Sequence, residues 1–354
     1  MSKIKVAFPH IGNYYIPVKY LLSHIVNQEI MISPKITAKT IELGSKYSPE
    51  FVCTPFKYTL GTMIEALDEG ANVLIQAGGG CRYGYYSELQ EKILKDLGYN
   101  FKLINLVSCG KMNLKRIYKS FKEVDKNFNV IKALYYLLIT KNMVKYMDKM
   151  DDYIRKNIGF EIEKNSFENT LNEALNEFVK VKNPFSLYIL YKKYYKKLKT
   201  IKVNKPLKPL KVGIIGELYT VMEPFSNYYI EKTLASYNIE IKRFTNANYL
   251  LFTNKKEKRR AMRKSKVFMK YKMGADASSN VYWTKYLCEK KYDGIIHIKS
   301  SFCTPEIGIM PIINKIATSN KVPIIFFSFD ANTSEVGIKT RLEAFYDMIE
   351  MRRL

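Results

Sequence analysis

The residues of this chain best suited to chemistry are its five cysteines, Cys53, Cys81, Cys109, Cys288 and Cys303. Thiolates are soft donors that select zinc or iron–sulfur clusters. None of the spacings is Cys-x-x-Cys, which argues against a small zinc knuckle. An odd number in a chain of 354 residues argues against a secreted disulfide framework and for thiols or metal ligands in a reducing compartment. Cys53 precedes Thr54-Pro55 and a helical pattern. Cys81 follows Gly78-Gly79-Gly80, whose lack of side chains allows close backbone approach to a ligand, with N–H groups placed to meet cluster sulfides; the plain alternative is a turn. Cys303 precedes Thr304-Pro305. Cys109, before Gly110, is a candidate fourth ligand or a neighbour of the ligands, whereas Cys288 in Tyr286-Leu287-Cys288 reads as core packing. The competing reading of the whole set is that of small buried hydrophobes.

Other chemistry is sparse. The segment at Gly78 lacks both the G-x-G-x-x-G fingerprint and the Lys-Ser/Thr of a P-loop, and no nucleotide-hydrolysis motif occurs elsewhere. Of three histidines, His10 reads as a solvent-exposed loop residue and His297, inside an apolar strand, as a hydrogen-bonded core residue. No Ser/His/Asp constellation can be argued from spacing. Glu217 and Glu306 both follow strand patterns and are candidates for an acid or base, with helix capping the better role for Glu306. Residues 255–266 carry eight basic residues in twelve. They read either as a solvated helix face or as a dock for an acidic protein or phosphate, and they lack the interleaved aromatics of a single-strand binder.

The elements that must position the cysteines are strands alternating with helices. Strand patterns cover Ile4–Phe8, Asn72–Gln76 and Phe101–Val107, with helices at Pro17–Asn27, residues 57–69 and Ser87–Leu97, the last stopped at Gly98. Residues 111–200 have long helical periodicities, and Thr200–Leu210, with Pro206 and Pro209, suits a linker. Strand patterns resume at Lys211–Gly216, Asp293–Ile298 and Val322–Phe327, with helices expected at Pro224–Tyr237 and Thr340–Arg352. The second α/β stretch repeats the first: Lys3–Phe8 resembles Leu210–Ile215, and Gly70–Ile75 parallels Tyr292–His297. A cysteine lies eight residues beyond Val73 and another eight beyond Ile295. The expected fold is α/β: two Rossmann-like parallel-sheet domains facing a cleft, plus a helical insertion, with boundaries at 1–110, 111–200 and 201–354. Ligands of open α/β sheets bind beyond the carboxyl ends of strands, so thiolates of the two domains could converge there.

Composition sets outer bounds. Hydrophobic residues at 47% and charged residues at 26% suit a packed core, and no uncharged apolar run approaches the roughly 18 residues of a membrane span. The start, Met1-Ser2-Lys3, leads into a strand rather than an apolar secretory core, so a cytoplasmic protein is expected. The net charge of +25 points to an acidic partner or to compositional drift; a nucleic-acid partner would rest on charge alone.

Three segments carry a family resemblance. Cys53-Thr54-Pro55-Phe56-Lys57, Gly79-Gly80-Cys81-Arg82-Tyr83-Gly84-Tyr85-Tyr86 and Phe302-Cys303-Thr304-Pro305-Glu306 resemble the cysteine motifs of acyl-CoA dehydratase activase-related proteins, relatives of the 2-hydroxyacyl-CoA dehydratase subunits. Gly216-Glu217-Leu218-Tyr219, Pro224-Phe225-Ser226-Asn227 and the tail from Asp330 to Phe345 are similar too. The resemblance implies that Cys53, Cys81 and Cys303 bind a [4Fe–4S] cluster, or half of a double-cubane cluster shared in a dimer. It implies a low-potential, anaerobic redox role, as a reductase or dehydratase component, with electrons from an ATP-dependent activase or another acidic donor. A second copy of the chain or a related subunit is a candidate partner. The alternative is a cluster-free scaffold or regulatory partner of an activase.

Overall fold

The computed structural model describes residues 3–78, 81–107, 112–252, 255–271 and 273–353. The chain divides into two compact units, residues 1–140 and 141–354.

The first unit is a four-stranded parallel sheet between helices. In chain order it contains β1 (Lys5–Ala7), α1 (Tyr15–Ile25), β2 (Glu29–Ile30), α2 (Ala38–Tyr47), α3 (Thr54–Asp68), β3 (Val73–Gln76), α4 (Tyr86–Asp96), β4 (Lys102–Asn105), α5 (Leu114–Val124) and the first part of α6 (Val130–Asn157). The strand order is β2-β1-β3-β4. Strand side chains alternate between faces. Val6, Val73 and Ile75 accordingly pack with Leu22 and Ile25 of α1 and Phe121 and Val124 of α5. Ala7 and Leu74 pack on the other face with Phe56, Leu60 and Met63 of α3 and Leu94 of α4. Helix α4 ends where expected, with Gly98 left-handed at φ +89°. The short α2 and β2 carry patterns too weak to stand out in the sequence.

The second unit repeats this plan. After the rest of α6 come α7 (Ser166–Phe178), α8 (Pro184–Thr200), β5 (Leu210–Gly216), α9 (Leu218–Met222), α10 (Ile230–Ser236), β6 (Ile239–Arg243), α11 (Lys255–Ser265), α12 (Ala277–Glu289), β7 (Gly294–Ser300), α13 (Thr304–Ser319), β8 (Ile324–Phe329) and α14 (Glu335–Met351). Its parallel sheet runs β6-β5-β7-β8, the same order as in the first unit. Val212, Ile214, Ile296 and Ile298 pack against α10 and α14. Ile215 and Ile295 pack against α12 and α13. The two sheets are consistent with two Rossmann-like domains. The helices of 111–200 fall on both sides of the division: Phe121 and Val124 join the first core, while α7 and α8 lie in the second unit.

One expected helix is broken. Pro224–Tyr237 resolves into a single 3-10 turn at Phe225–Asn227 and then α10. Tyr228 and Tyr229 between them are both left-handed, at φ 52° and 55°. Such a conformation is unfavourable for a residue with a Cβ. The Asn227 side chain holds it, donating to the Thr220 and Glu223 carbonyls at 2.7 and 3.2 Å and accepting the Ile230 N–H at 3.2 Å. The closing helix likewise starts earlier than its apolar pattern, at Glu335, because Ser334 caps it by accepting the Gly337 N–H.

Helices α2 and α3 touch backbone to backbone. A Cβ on Gly44 would stand 1.8 Å from the Lys57 carbonyl oxygen, and one on Gly61 would stand 1.9 Å from that of Thr40. Neither backbone can yield as a flexible side chain would. Gly61→Ala is therefore expected to lose about 1–3 kcal/mol through overpacking, seen as a lower melting midpoint, whereas alanine at Gly98's exposed neighbour Lys95 should leave the midpoint within error.

Candidate functional site

Open α/β sheets place ligands beyond the strand carboxyl ends, where successive connections leave in opposite directions. In the first unit that point lies between β1 and β3, and in the second between β5 and β7.

In the second unit β5 ends at Gly216, with φ +144°, where a Cβ would meet the Ile298 carbonyl oxygen at 1.8 Å. Only glycine fits, and the strand pair stays close to its tip. Glu217 follows, its N–H donating to that same oxygen at 2.8 Å. Its carboxylate caps α9: Oε1 accepts the Tyr219 N–H at 2.8 Å, and Oε2 accepts the Thr220 N–H at 3.0 Å and the Thr220 hydroxyl at 2.5 Å. Enclosure by the protein raises the Glu217 carboxyl above its ordinary value, against the pull of these bonds, and the charge of Glu306 adds to the rise.

Glu306 does not take the capping role expected of it. Its carboxylate turns into the core, 1% exposed. Oε2 lies 2.8 Å from His297 Nε2, and the two oxygens accept from Asn280 Nδ2 at 2.9 and 3.1 Å. The same Asn280 nitrogen reaches the Gly216 carbonyl at 3.1 Å. One carboxylate thus links β5, β7, α12 and α13. His297 is the hydrogen-bonded core histidine that the apolar strand suggested, although its Nδ1 has no partner among the described residues. The buried acceptor wins over the cap because a carboxylate inside the core with His297 and Asn280 left unbonded would cost more than an unfilled cap at a surface helix end.

Cys303 is the N-cap of α13, with Pro305 in the first turn and no side-chain hydrogen bond filling the cap. It is half-buried, as are Cys53 and Cys81. Its N–H donates to the Ser300 carbonyl at 3.1 Å. The buried Lys299 of β7 stands beside it, with a pKa lowered by desolvation and partly restored by Cys303 and then Glu306. Sequence patterning passed over Lys299 and Asn280. The signal for Lys299 was available: a charged residue following the apolar run Gly294–Ile298, in a strand buried along its whole length.

In the first unit Cys53 N-caps α3, again with proline in the first turn and no side-chain cap. Its Sγ lies 2.5 Å from the Tyr86 hydroxyl, and Tyr86 packs edge-on to Phe56, ring centroids 4.8 Å apart. Cys81 follows β3 and opens a 3-10 turn through the Gly84 N–H to its carbonyl at 3.0 Å; that turn leads to Tyr86. A buried amide network holds this corner. Gln76 Nε2, at the end of β3, donates to Gln90 Oε1 at 2.6 Å; Gln90 Nε2 donates to Thr59 Oγ1 at 2.7 Å and to the Phe56 carbonyl at 3.2 Å. The strand leading to Cys81 and the helix opened by Cys53 are thereby fixed to each other.

The remaining candidates sort clearly. His10 is not exposed, as its loop position suggested, but buried and stacked on Tyr15 at 5.0 Å, the ring's apolar faces outweighing its polarity. Cys288 is core, 7% exposed, its thiol pushed up to about 11 by burial, which leaves it a poor source of thiolate. Cys109 and the glycines Gly79 and Gly80 lie outside the described residues. The basic run forms α11, with Ala261 and Ser265 buried and Arg259, Arg260, Arg263 and Lys264 exposed. Among the described residues, neither unit by itself holds a group of three or more His, Cys, Asp or Glu side chains placed to bind a metal ion, and no helix is long and apolar enough to cross a membrane.

Residues 252–349 match the family model described as 2-hydroxyglutaryl-CoA dehydratase, D-component. The match supports the 2-hydroxyacyl-CoA dehydratase-like family. The matched segment holds α11, Asn280, His297, Lys299, Cys303 and Glu306, while Cys53 and Cys81 precede it. No curated protein matches the chain.

Glu217 allows a check on the electrostatics of this corner. Its folded-state pKa is raised, so the fold binds its proton more tightly than the unfolded chain does. Glu217 therefore costs stability that sets in as pH rises above the ordinary carboxylate value and persists above the folded pKa. The stability of Glu217→Gln relative to wild type is expected to rise from about pH 4 to pH 7, offset at every pH by the hydrogen bond the amide cannot accept. Urea midpoints at the two pH values measure it, and a difference that is flat with pH contradicts the burial of this carboxyl.

Proposed function

We propose that the chain is an iron–sulfur component of the 2-hydroxyacyl-CoA dehydratase-like family, with Cys53, Cys81 and Cys303 as its protein ligands and a low-potential redox role as reductase or dehydratase component. The observation that carries the reading is that Cys-Thr-Pro occurs twice and on each occasion the cysteine N-caps a long helix, α3 and α13, its own side chain making no capping hydrogen bond. A helix N-terminus carries partial positive charge and favours a thiolate over a thiol. The thiols so placed are half-buried, open to a ligand, in contrast to the enclosed Cys288. The donor chemistry fits a soft-metal cluster.

When bound, such a cluster supplies one-electron chemistry at low potential. The chain's own residues hold and orient the sulfurs. Tyr86 steadies Cys53, the Gln76–Gln90–Thr59 network fixes α3 against β3, and Glu306, through His297 and Asn280, fixes the first turn of α13 that presents Cys303. In this reading the chain works in a cytoplasmic, anaerobic setting; the family match supports association with an activase as the electron source, and the exposed basic face of α11 suits docking of an acidic donor.

Anaerobic purification followed by iron and sulfide analysis tests the reading. Wild type is expected to carry both iron and sulfide, as such clusters do. Cys53→Ser, Cys81→Ser and Cys303→Ser should each lower bound iron sharply, while Cys288→Ser and Cys109→Ser leave it unchanged. A folded wild type without iron would point instead to a cluster-free scaffold.

Charge reversal on α11 tests the docking face. Replacing Arg259, Arg260 and Arg263 by Glu is expected to slow electron delivery from an acidic donor and to flatten its dependence on salt, because rim charges act mainly on association rate. Stopped-flow reduction over a salt series measures both, and unchanged kinetics would remove α11 from the docking surface.

A further inference from the structure

Lys299 differs from the exposed lysines that dominate this chain. It is the penultimate residue of β7, is 4% exposed, and among the described residues its ammonium finds only the Ser300 and Ser301 carbonyl oxygens, at 3.4 and 3.5 Å. Those distances are long for hydrogen bonds to a cation, whose partners normally lie under about 3 Å. A buried charge so weakly bonded is unfavourable unless an opposite charge accompanies it. Two acidic groups act on it, Cys303 before Glu306. The Glu306 carboxylate is already engaged by His297 and Asn280. The Ser300 carbonyl, which Lys299 approaches, also accepts the Cys303 N–H at 3.1 Å, so ammonium and cysteine backbone converge on one oxygen. The N-terminus of α13, which Cys303 caps, adds partial positive charge at the same place.

We propose that Lys299 is the buried counter-charge of the anionic group held at Cys303, and that it sets how readily that group accepts an electron. The inference rests on Cys303 being a cluster ligand. One-electron reduction adds one negative charge to the group, the electron coming from the activase in the proposed function and from a reduced dye in the test. A fixed cation alongside stabilises the more negative form and so raises the potential. Lys299 does not touch a substrate in this role; it acts through the sulfur, as a positioning residue for charge.

The test uses the full chain. Iron and sulfide are first measured in anaerobically prepared wild type. Lys299→Met is then compared in a dye-mediated redox titration, with Lys299→Arg as the charge-retaining control and Lys299→Gln as a second neutral variant should methionine fail to fold. The ratio of reduced to oxidised cluster at the wild-type midpoint is expected to fall about tenfold in the neutral variants, ~59 mV for one electron, and to recover in Lys299→Arg. Loss of iron from a folded neutral variant would equally support a counter-charge at Cys303. Thermal melts of the iron-free proteins separate this from a packing role, since removing a poorly bonded buried charge should leave that form no less stable. A neutral variant that keeps its iron and titrates at the wild-type midpoint overturns the proposal while leaving the cluster reading intact. A wild type without iron overturns both, and the iron analysis reveals it before any titration.

Discussion

The geometry of the second unit depends on one buried carboxylate. Glu306 sits in the first turn of α13, and its oxygens bind His297 on β7 and Asn280 on α12, while Asn280 also holds the carbonyl at the tip of β5. Apolar packing alone would allow α13 to slide or rotate by fractions of an ångström over Ile215 and Ile295, because dispersion is not directional. Short bonds to a carboxylate are directional, and each deviation leaves a buried polar atom unbonded at a penalty of ~1–3 kcal/mol. The register of α13 on the sheet, and with it the position of Cys303 three residues earlier, is therefore fixed more sharply than hydrophobic burial could fix it. Buried ionic contacts are often no more stabilising than well-packed apolar groups of the same volume. What the polar version adds is a single arrangement.

The first unit meets the same requirement with neutral groups. Gln90 joins the end of β3 through Gln76 to the start of α3 through Thr59 and the Phe56 carbonyl. Backbone contact at Gly44 and Gly61 removes the remaining freedom of α3 along its axis. The difference between the units follows from what must be held. Cys53 has the Tyr86 hydroxyl against its sulfur and needs no charge nearby for its position. Cys303 has a buried ammonium in the same neighbourhood, and the Glu306 carboxylate helps to balance that charge.

Much of this was legible in the sequence, for identifiable reasons. Strands buried on both faces read as largely apolar runs, and residues 72–76 and 293–298 emerged from patterning even though Gln76 and His297 are buried polar groups. The internal repeat that pairs Val73 with Ile295 is matched by two sheets with one strand order. The failures are as instructive. Pro224–Tyr237 has helical spacing, yet Asn227 diverts the backbone through a pair of left-handed tyrosines, a side-chain hydrogen-bond effect that periodicity does not register. His10 lies in a loop yet is buried, because its ring stacks on Tyr15, and loop position by itself does not fix exposure. Capping was favoured for Glu306, yet Glu217 takes it, and both stand near helix starts; what distinguishes them is the presence of His297 and Asn280, remote in sequence, around Glu306 and of the α9 amides around Glu217. Lys299 was hidden among many lysines.

That concealment bears on the net charge of +25. Lys and Arg total 58 residues, and drift toward lysine accumulates where it is nearly neutral, at exposed positions. The exposed residues of α11 are open to that explanation even as they suit a docking face. Position 299 is not. An ammonium 4% exposed, with carbonyl contacts at 3.4 and 3.5 Å, is selected against by its own desolvation unless it serves something. The interior of β7, where Lys299 and the Cys303 N–H share the Ser300 carbonyl, is thus where one lysine carries more information than the rest of the positive charge together. Its neighbours are the two groups that would benefit from it, a thiol at a helix start and the carboxylate that fixes that helix in place.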